Sequence, residues 1–409
     1  VSILFCKWEP VVIRALLDAG ARVHVVLDQW DVRFGDVDRA LLARAEGVYE
    51  VRDFDSVEQL SAVAVDLRLR DAGIRRVASF AEFSQYGAGL LAELLGVPGG
   101  TLAQAVATRD KREMKRRYRA AGIRCARSMS VPDARAVPDP AEVAETVGFP
   151  VVVKPVSGMG AMATVRVDRP EDLRTVVDGL VFPPEVISHQ LIIEEYVTGE
   201  ELHADAVWSD GAPMYFTVGR YPRPRLSVPP GEEGSLLLDA ADHGKLIDRA
   251  EELHRAVNAA IGISSGPTHF EFFRTSADEL VASEVATRFG GGPLLDMVRC
   301  RDGVDLRLLW ADEMLGRSVT RRVAQRGGGP HVAGINIPAS GGGGRVLSMP
   351  TAAELDADPH VVEHRALCAV GEETHGLWCL MLILRADSET ELRDVVEAAR
   401  RRYVVRTGE

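Results

Sequence analysis

Two stretches of the chain set single reactive side chains at the ends of apolar runs. In Val151-Val152-Val153-Lys154-Pro155 an apolar strand delivers one lysine, and a loop carrying Ser157, Gly158 and Gly160 follows at once. An ammonium held beside loop N–H groups suits phosphate oxygens. The order is not that of a Walker loop, because GxxxxGK[ST] is absent. A surface lysine that merely closes a strand would read the same way. In the run Ile192-Ile193-Glu194-Glu195-Tyr196-Val197, followed by a Gly199 turn with Glu200 and Glu201, an apolar strand meets carboxylates and a turn. Backbone groups at such a strand end can read an adenine edge, and a carboxylate past the turn can bind ribose hydroxyls. A strand-to-turn junction with solvated acids is the plainer alternative.

A third stretch pairs His269-Phe270-Glu271-Phe272-Phe273 with Ala282-Ser283-Glu284-Val285-Ala286-Thr287-Arg288 across a short turn. In an antiparallel hairpin Glu271 and Glu284 face one another, and like charges so placed need a cation between them. Hard oxygen donors point to Mg²⁺ or Mn²⁺. Arg288, four residues beyond Glu284, returns to the same strand face if the strand persists. Two carboxylates, a divalent cation and an arginine suit phosphoryl transfer. A salt bridge between Arg288 and one glutamate is the alternative.

Spacing and punctuation locate the elements that must hold these groups. Strands at 1–6, 22–27, 48–51 and 76–79 alternate with helices at 11–19 and 57–72, and a helix over 82–95 stops at Gly96. That rhythm predicts a parallel sheet covered by helices. After Pro98-Gly99-Gly100 comes a charged helix over 107–121, capped by Thr108 or Asp110. A helix at 141–147, strands at 151–153 and 163–167, a helix at 171–180 and strands at 191–197 and 203–208 predict an α+β lobe. Residues 220–234, rich in Pro and Arg, predict a mobile loop over a cleft. A helix at 245–261, hairpin strands at 269–273 and 281–285, and a helix at 294–298 complete that part. Gly327–Gly329 marks a boundary, and a last unit carries a strand at 377–384 and a helix at 389–402. The expected division is 1–108, 109–330 in two lobes (about 109–195 and 196–330), and 331–409, with the cleft between the two lobes.

Composition narrows the function. The 409 residues carry a formal charge of −12, which argues against a nucleic-acid surface. The absence of an apolar run of membrane-spanning length argues against a membrane partner. No signal segment is evident, although the first residue is Val, and the five scattered cysteines form no CxxC pair. A cytoplasmic protein with reduced thiols is expected. Only five of 48 basic residues are lysine: Lys7, Lys111, Lys115, Lys154 and Lys245. Genome composition explains the scarcity, but a retained lysine is a compact point charge where arginine is a planar fork.

Taken in order, these pieces resemble the ATP-grasp superfamily, and within it the carboxylate–amine ligases that include dipeptide-forming amino-acid ligases. The matching residues are Asp110-Lys111, Val153-Lys154-Pro155, Ser157–Gly160, Glu194–Val197 with Gly199-Glu200-Glu201, Glu271, and Glu284 through Arg288. The resemblance implies an ATP-grasp fold, α/β and α+β, with an N-terminal Rossmann-like domain and a small C-terminal unit. It implies that Lys111 and Lys154 contact ATP phosphates and that Ser157, Gly158 and Gly160 close over them. Glu194, Glu195 and Val197 would meet adenine, Glu201 the ribose, Glu271 and Glu284 two Mg²⁺ ions, and Arg288 the reacting acyl group. Relatives place a carboxylate near the substrate amino group at the position of Glu82, which is otherwise a first-turn acid. His269 either faces the substrate or is a hydrogen-bonded strand histidine. Gly290 and Gly291 can offer backbone amides to a carboxylate, or simply turn the chain. Arg220, Arg223 and Arg225 can grip a substrate carboxylate or lie solvated in the loop.

Two departures stand out. Ala286 replaces the usual asparagine of Glu-x-Asn-x-Arg, and the loop Gly158-Met159-Gly160-Ala161-Met162 has fewer glycines than many relatives. The expected activity joins a small-molecule carboxylate to an amine through an acyl-phosphate. The alternatives are a purine-pathway enzyme using a small carboxylate and a non-catalytic ATP-binding regulator. Dimers are common among similar proteins, so a homodimer is one expected state.

Overall fold

The wholly buried run Ser2–Cys6 is a central strand of a parallel sheet, ordered Gly47–Glu50, Arg22–Leu27, Ser2–Cys6, Arg76–Ser79. Strands buried on both faces read as continuous apolar runs. Helix Pro10–Asp18 covers one face through Val12, Ile13 and Leu16. Val57–Leu69 and Gln85–Leu95 cover the other. The computed structural model describes residues 1–133, 135–184, 186–229, 231–317 and 330–408.

A second sheet of four antiparallel strands follows, ordered Ser128–Val131, Leu191–Glu195, Val151–Pro155, Val165–Val167. Val151 and Val153 pack with Val143 and Leu173 of the helices Pro140–Thr146 and Leu173–Asp178. Full burial of such a valine is worth roughly 1.5–3 kcal/mol. That anchors the strand whose end presents Lys154.

The third sheet has eight antiparallel strands: Leu280–Ala286, Gly266–Arg274, Glu200–Ser209, Ala212–Arg220, Gly234–Leu237, His331–Ile337, Leu380–Ala386 and Val361–Ala366. The long helix Ala240–Ile261 packs Leu246, Ala250 and Val257 against its cleft-side half. The C-terminal strands continue this sheet, because His331–Ile337 pairs directly with Gly234–Leu237. The expected boundary at Gly327–Gly329 lies outside the described residues.

Four local expectations are corrected. The helix over 107–121 is two helices, Leu102–Arg109 and Lys111–Ala120. Asp110 breaks them with extended backbone, and its carboxylate caps the second by accepting the Arg112 N–H. The hairpin is not regular: Phe270 pairs with Val285 but Phe272 with Ala282, so a bulge lies where Glu271 meets Ser283 and Glu284. Glu271 and Glu284 are therefore not a directly opposed pair. Strands Ala212–Arg220 and Gly234–Leu237 take both ends of the expected loop. The end of what remains is strapped: Asn336 Nδ2 donates to Gly231 O, and Arg400 donates to the carbonyls of Glu232 and Glu233. Finally, the strand Leu191–Glu195 ends two residues early, which leaves Tyr196 and Val197 in the turn.

Candidate active site

The two antiparallel sheets face each other across a cleft lined by Lys111, Lys154, Glu194, Glu201, Glu271 and Glu284 among others. The Asp110 break starts a helix whose first residue, Lys111, reaches the glycine loop: its Nζ donates to Gly158 O at 2.7 Å and lies 3.3 Å from Glu284 Oε2. From the opposite strand end, Lys154 Nζ lies 2.6 Å from Glu284 Oε1 and 2.9 Å from Glu194 Oε2. One helical turn beyond Lys111, the fully buried Lys115 donates to Ser283 O at 2.8 Å and stands 3.7 Å from Glu194 Oε1. Three buried ammonium groups and two carboxylates thus interleave.

The charges hold one another. Burial opposes ionisation of Glu284, but Lys111 and Lys154 outweigh it and bring its carboxyl down to about 2. Burial likewise opposes the charge of Lys154, and Glu194 and Glu284 more than compensate, raising its pKa. Lys111 is pushed the other way, since burial exceeds the pull of Glu284. Of these two lysines Lys111 is the less compensated by the protein's own carboxylates, which disposes it to take an anion.

Glu194 and Glu195 alternate across their strand. Glu194 turns inward to the lysines, whereas Glu195 turns out to Arg127 at 3.1 Å and Arg124 at 3.6 Å. Both carboxylates have cationic partners in the protein, and Tyr196 and Val197 line the cleft beside them. In the loop, Ser157 O accepts from Arg109 at 2.7 Å. Gly160 has φ 57°, and Ala161 and Ala163 also take left-handed backbone, at φ 60° and 47°. Alanine pays for that conformation where glycine does not.

On the far wall Glu201 accepts the Arg225 N–H at 2.7 Å. Burial and the neighbouring Glu271 charge push its carboxyl up to about 7. Burial opposes the Glu271 charge too, but His269 and Arg225 keep it ionised. Tyr221 OH donates to Glu271 Oε1 at 2.8 Å. Carboxylates that feel one another's charge, as Glu201, Glu271 and Glu284 do, suit a hard divalent cation. Ala286 offers no side-chain oxygen to it.

Beside this cluster the parallel-sheet domain contributes Glu82, from the short turn Glu82–Ser84. Glu82 is buried between Arg109 and Arg288, with Arg288 Nε at 2.5 Å. Burial resists its charge, yet Arg288 and Arg109 hold it down to about 2. Arg288 also donates to Phe289 O at 2.7 Å. Gln85 secures the same turn by donating to Thr287 O at 3.1 Å. His269 is buried, with Nδ1 2.8 Å from Asp205 Oδ1 and Nε2 3.5 Å from Glu271 Oε1. Gly290 abuts this pair, and Gly291 faces open space.

Of the three loop arginines only Arg225 lines the cleft, its guanidinium over the Tyr221 ring. Arg220 is buried against Glu389 at 2.6 Å and Glu200 at 3.4 Å, and Arg223 pairs with Glu232. Arg220 and Arg223 thus have carboxylate partners in the protein and do not line this cleft. Sequence reasoning missed Lys115, Arg109, Asp205 and Tyr221. Lys115 had a signal, since it follows Lys111 by one helical turn, and Asp205 shares a strand face with His203. Arg109 and Tyr221 had none.

Comparison with known proteins is decided by the middle of the chain, where residues 147–295 match the ATP-grasp domain. The chain carries an ATP-grasp domain. Its sequence is similar to the L-arginine-specific L-amino acid ligase of Bacillus subtilis, 28% identical over 267 residues, covering 64% of this chain and 62% of that protein. It is also similar to the D-alanine–D-alanine ligase of Arthrobacter sp. (strain FB24), 29% identical over 220 residues, covering 48% and 54%. These matches therefore span less than two thirds of the curated relatives. The likeness of fold extends over the whole chain: an L-amino acid ligase from Bacillus licheniformis superposes with a TM-score of 0.78 at 15% identity, covering 100% and 99%. The phosphoribosylglycinamide synthetase from Anaerococcus prevotii does so with 0.68 at 14%, covering 100% and 99%. At such identities the likeness is one of fold. Among the described residues, no helix is long and apolar enough to cross a membrane.

Proposed function

We propose that this ATP-grasp chain is an ATP-dependent carboxylate–amine ligase acting on an amino acid or a peptide-like acid, and releasing ADP and phosphate. One observation carries the reading: the cation-and-carboxylate cluster around Lys154 and Glu284 lies within electrostatic reach of the buried Glu82–Arg288 pair, Lys111 feeling the charge of Glu82 and Arg288 that of Glu271. The first suits a nucleotide triphosphate and the second suits a zwitterion. An amino acid entering between Glu82 and Arg288 exchanges one ion pair for two, its ammonium on Glu82 and its carboxylate on Arg288. The amino-acid ligase named among the relatives supports the same substrate class.

In this reading Lys111 and Lys154 hold the ATP phosphates, under the loop carrying Ser157, Gly158 and Gly160. The backbone at Glu195 and Val197 receives adenine, and Glu201 receives the ribose. Glu271 and Glu284 hold Mg²⁺, or Mn²⁺ in its place, which supplies charge neutralisation at the phosphates when bound. A substrate carboxylate oxygen attacks the γ-phosphorus as the bond to the ADP oxygen breaks, giving an acyl-phosphate. The amine nitrogen then attacks the acyl carbon, and the C–O bond to phosphate breaks. Arg288 stabilises the negative charge that builds on the acyl oxygen. The loop strapped by Asn336 and Arg400 shields the acyl-phosphate from water. Five unpaired cysteines fit a cytoplasmic setting.

The test is incubation with ATP, Mg²⁺ and a panel of amino acids, following ADP and the condensed product. ADP formation that requires an acid–amine pair is expected. ATP that binds but is consumed with no pair would contradict the reading.

A further inference from the structure

Behind the cleft one buried carboxylate touches three pieces of the substrate half. Asp205 lies on strand Glu200–Ser209, directly across from His269 on Gly266–Arg274. It is 2% exposed. Its Oδ1 is 2.8 Å from His269 Nδ1, and its Oδ2 is 2.6 Å from His203 Nδ1. An ionised carboxylate only accepts hydrogen bonds, so each Nδ1 must carry a proton. Each ring is left with Nε2 for other work. His203 Nε2 meets Ser235 Oγ at 2.6 Å. His269 Nε2 faces Glu271 Oε1, the oxygen that also accepts from Tyr221.

The same hydrogen bond seats the glycine turn. A Cβ on Gly290 would come within 2.8 Å of both Asp205 Oδ1 and His269 Nδ1. Real Cβ atoms do not approach so closely, so the turn rests flush on the Asp205–His269 pair. The ligand atoms of His203, Asp205 and His269 also lie within 4.8 Å of one another, close enough for a metal ion. Hydrogen bonding already accounts for both Nδ1 atoms without one.

We infer that Asp205 is a positioning residue for the amino-acid half of the site. It sets His269 with Nε2 toward Glu271 and the cleft, and it forms the floor on which Gly290 sits. The identity of the substrate rests on the ligase reading above; the arrangement itself does not.

Two measurements test this. In the wild-type protein labelled with ¹⁵N-histidine, ring-nitrogen shifts should show His269 and His203 protonated at Nδ1, with peaks assigned from single histidine substitutions. An unprotonated Nδ1 on His269 would overturn the inference, and so would a tightly held metal ion that Asp205→Asn releases. In Asp205→Asn, whose amide keeps the shape but must donate to one ring, the His269 shifts should change. The KM for the amino acid should rise about tenfold or more, while the Kd for ATP measured without Mg²⁺ stays within about twofold. Unchanged KM in a folded variant, or equal loss of both affinities, would overturn the positioning role. Should Asp205→Asn not fold, the wild-type shifts still decide. If wild-type protein forms no ADP with any amino acid, the ligase reading fails, while the ring shifts answer for Asp205 separately.

Discussion

The Glu82 carboxylate and the Arg288 guanidinium, 206 residues apart in the chain, meet at 2.5 Å. The pair joins the parallel-sheet domain to the end of the hairpin that carries Glu271 and Glu284. Arg109 closes it from a third direction. Removing one member of such a buried cluster leaves uncompensated charge, at a cost of roughly 3–5 kcal/mol. Glu82→Gln is therefore expected to raise the KM for the amino acid strongly and to lower stability, while ATP binding stays near its original strength. Titration calorimetry with ATP and steady-state kinetics with the amino acid check this split.

Glu284 receives both Lys111 and Lys154. Glu284→Ala should lower turnover by at least about a hundredfold, because a cation ligand and the partner of two lysines are lost together. Retained turnover would remove Glu284 from the metal site.

Lys154 tests the point-charge argument. Its Nζ sits between Glu284 and Glu194, at 2.6 and 2.9 Å, where a planar fork cannot satisfy both in the same space. Lys154→Arg should weaken ATP about tenfold although charge is kept. Unchanged affinity by calorimetry would make the lysine a matter of genome composition.

The carboxyl of Glu82, like that of Glu284, is held at about 2 in the folded chain, below the ordinary 4.5. A depressed folded-state pKa contributes stability above the unfolded value and loses it as pH falls toward the folded value. Denaturant unfolding should thus show stability declining between about pH 4.5 and pH 2. The decline should be shallower in Glu82→Gln.

Strand ends were the legible part of this site. Lys154 stands out because a continuous apolar strand must end somewhere, and it ends in a charge. The lobe sheets were foreseeable from the same runs. What escaped depended on phase and on distant partners. A helix that looks continuous over 107–121 is broken at Asp110, since capping by a single aspartate competes with helix continuation. The bulge at Glu271 shifts register without any local signal in residue type. Glu194 and Glu195 look equivalent in sequence, yet strand alternation sends one to Lys154 and the other to Arg127. Period-two reasoning was available there. The straps on the arginine-rich loop come from Asn336 and Arg400, more than a hundred residues away, and no local pattern foretells them.

The central claim is that a substrate carboxylate becomes an acyl-phosphate in this cleft. The most direct measurement supplies an amino acid labelled with oxygen-18 in its carboxylate, together with ATP, Mg²⁺ and an amine, and analyses the released phosphate by mass spectrometry. The account predicts that each phosphate released carries one oxygen-18 from the acid. Amide formed alongside unlabelled phosphate, or with release of AMP in place of ADP, would contradict it.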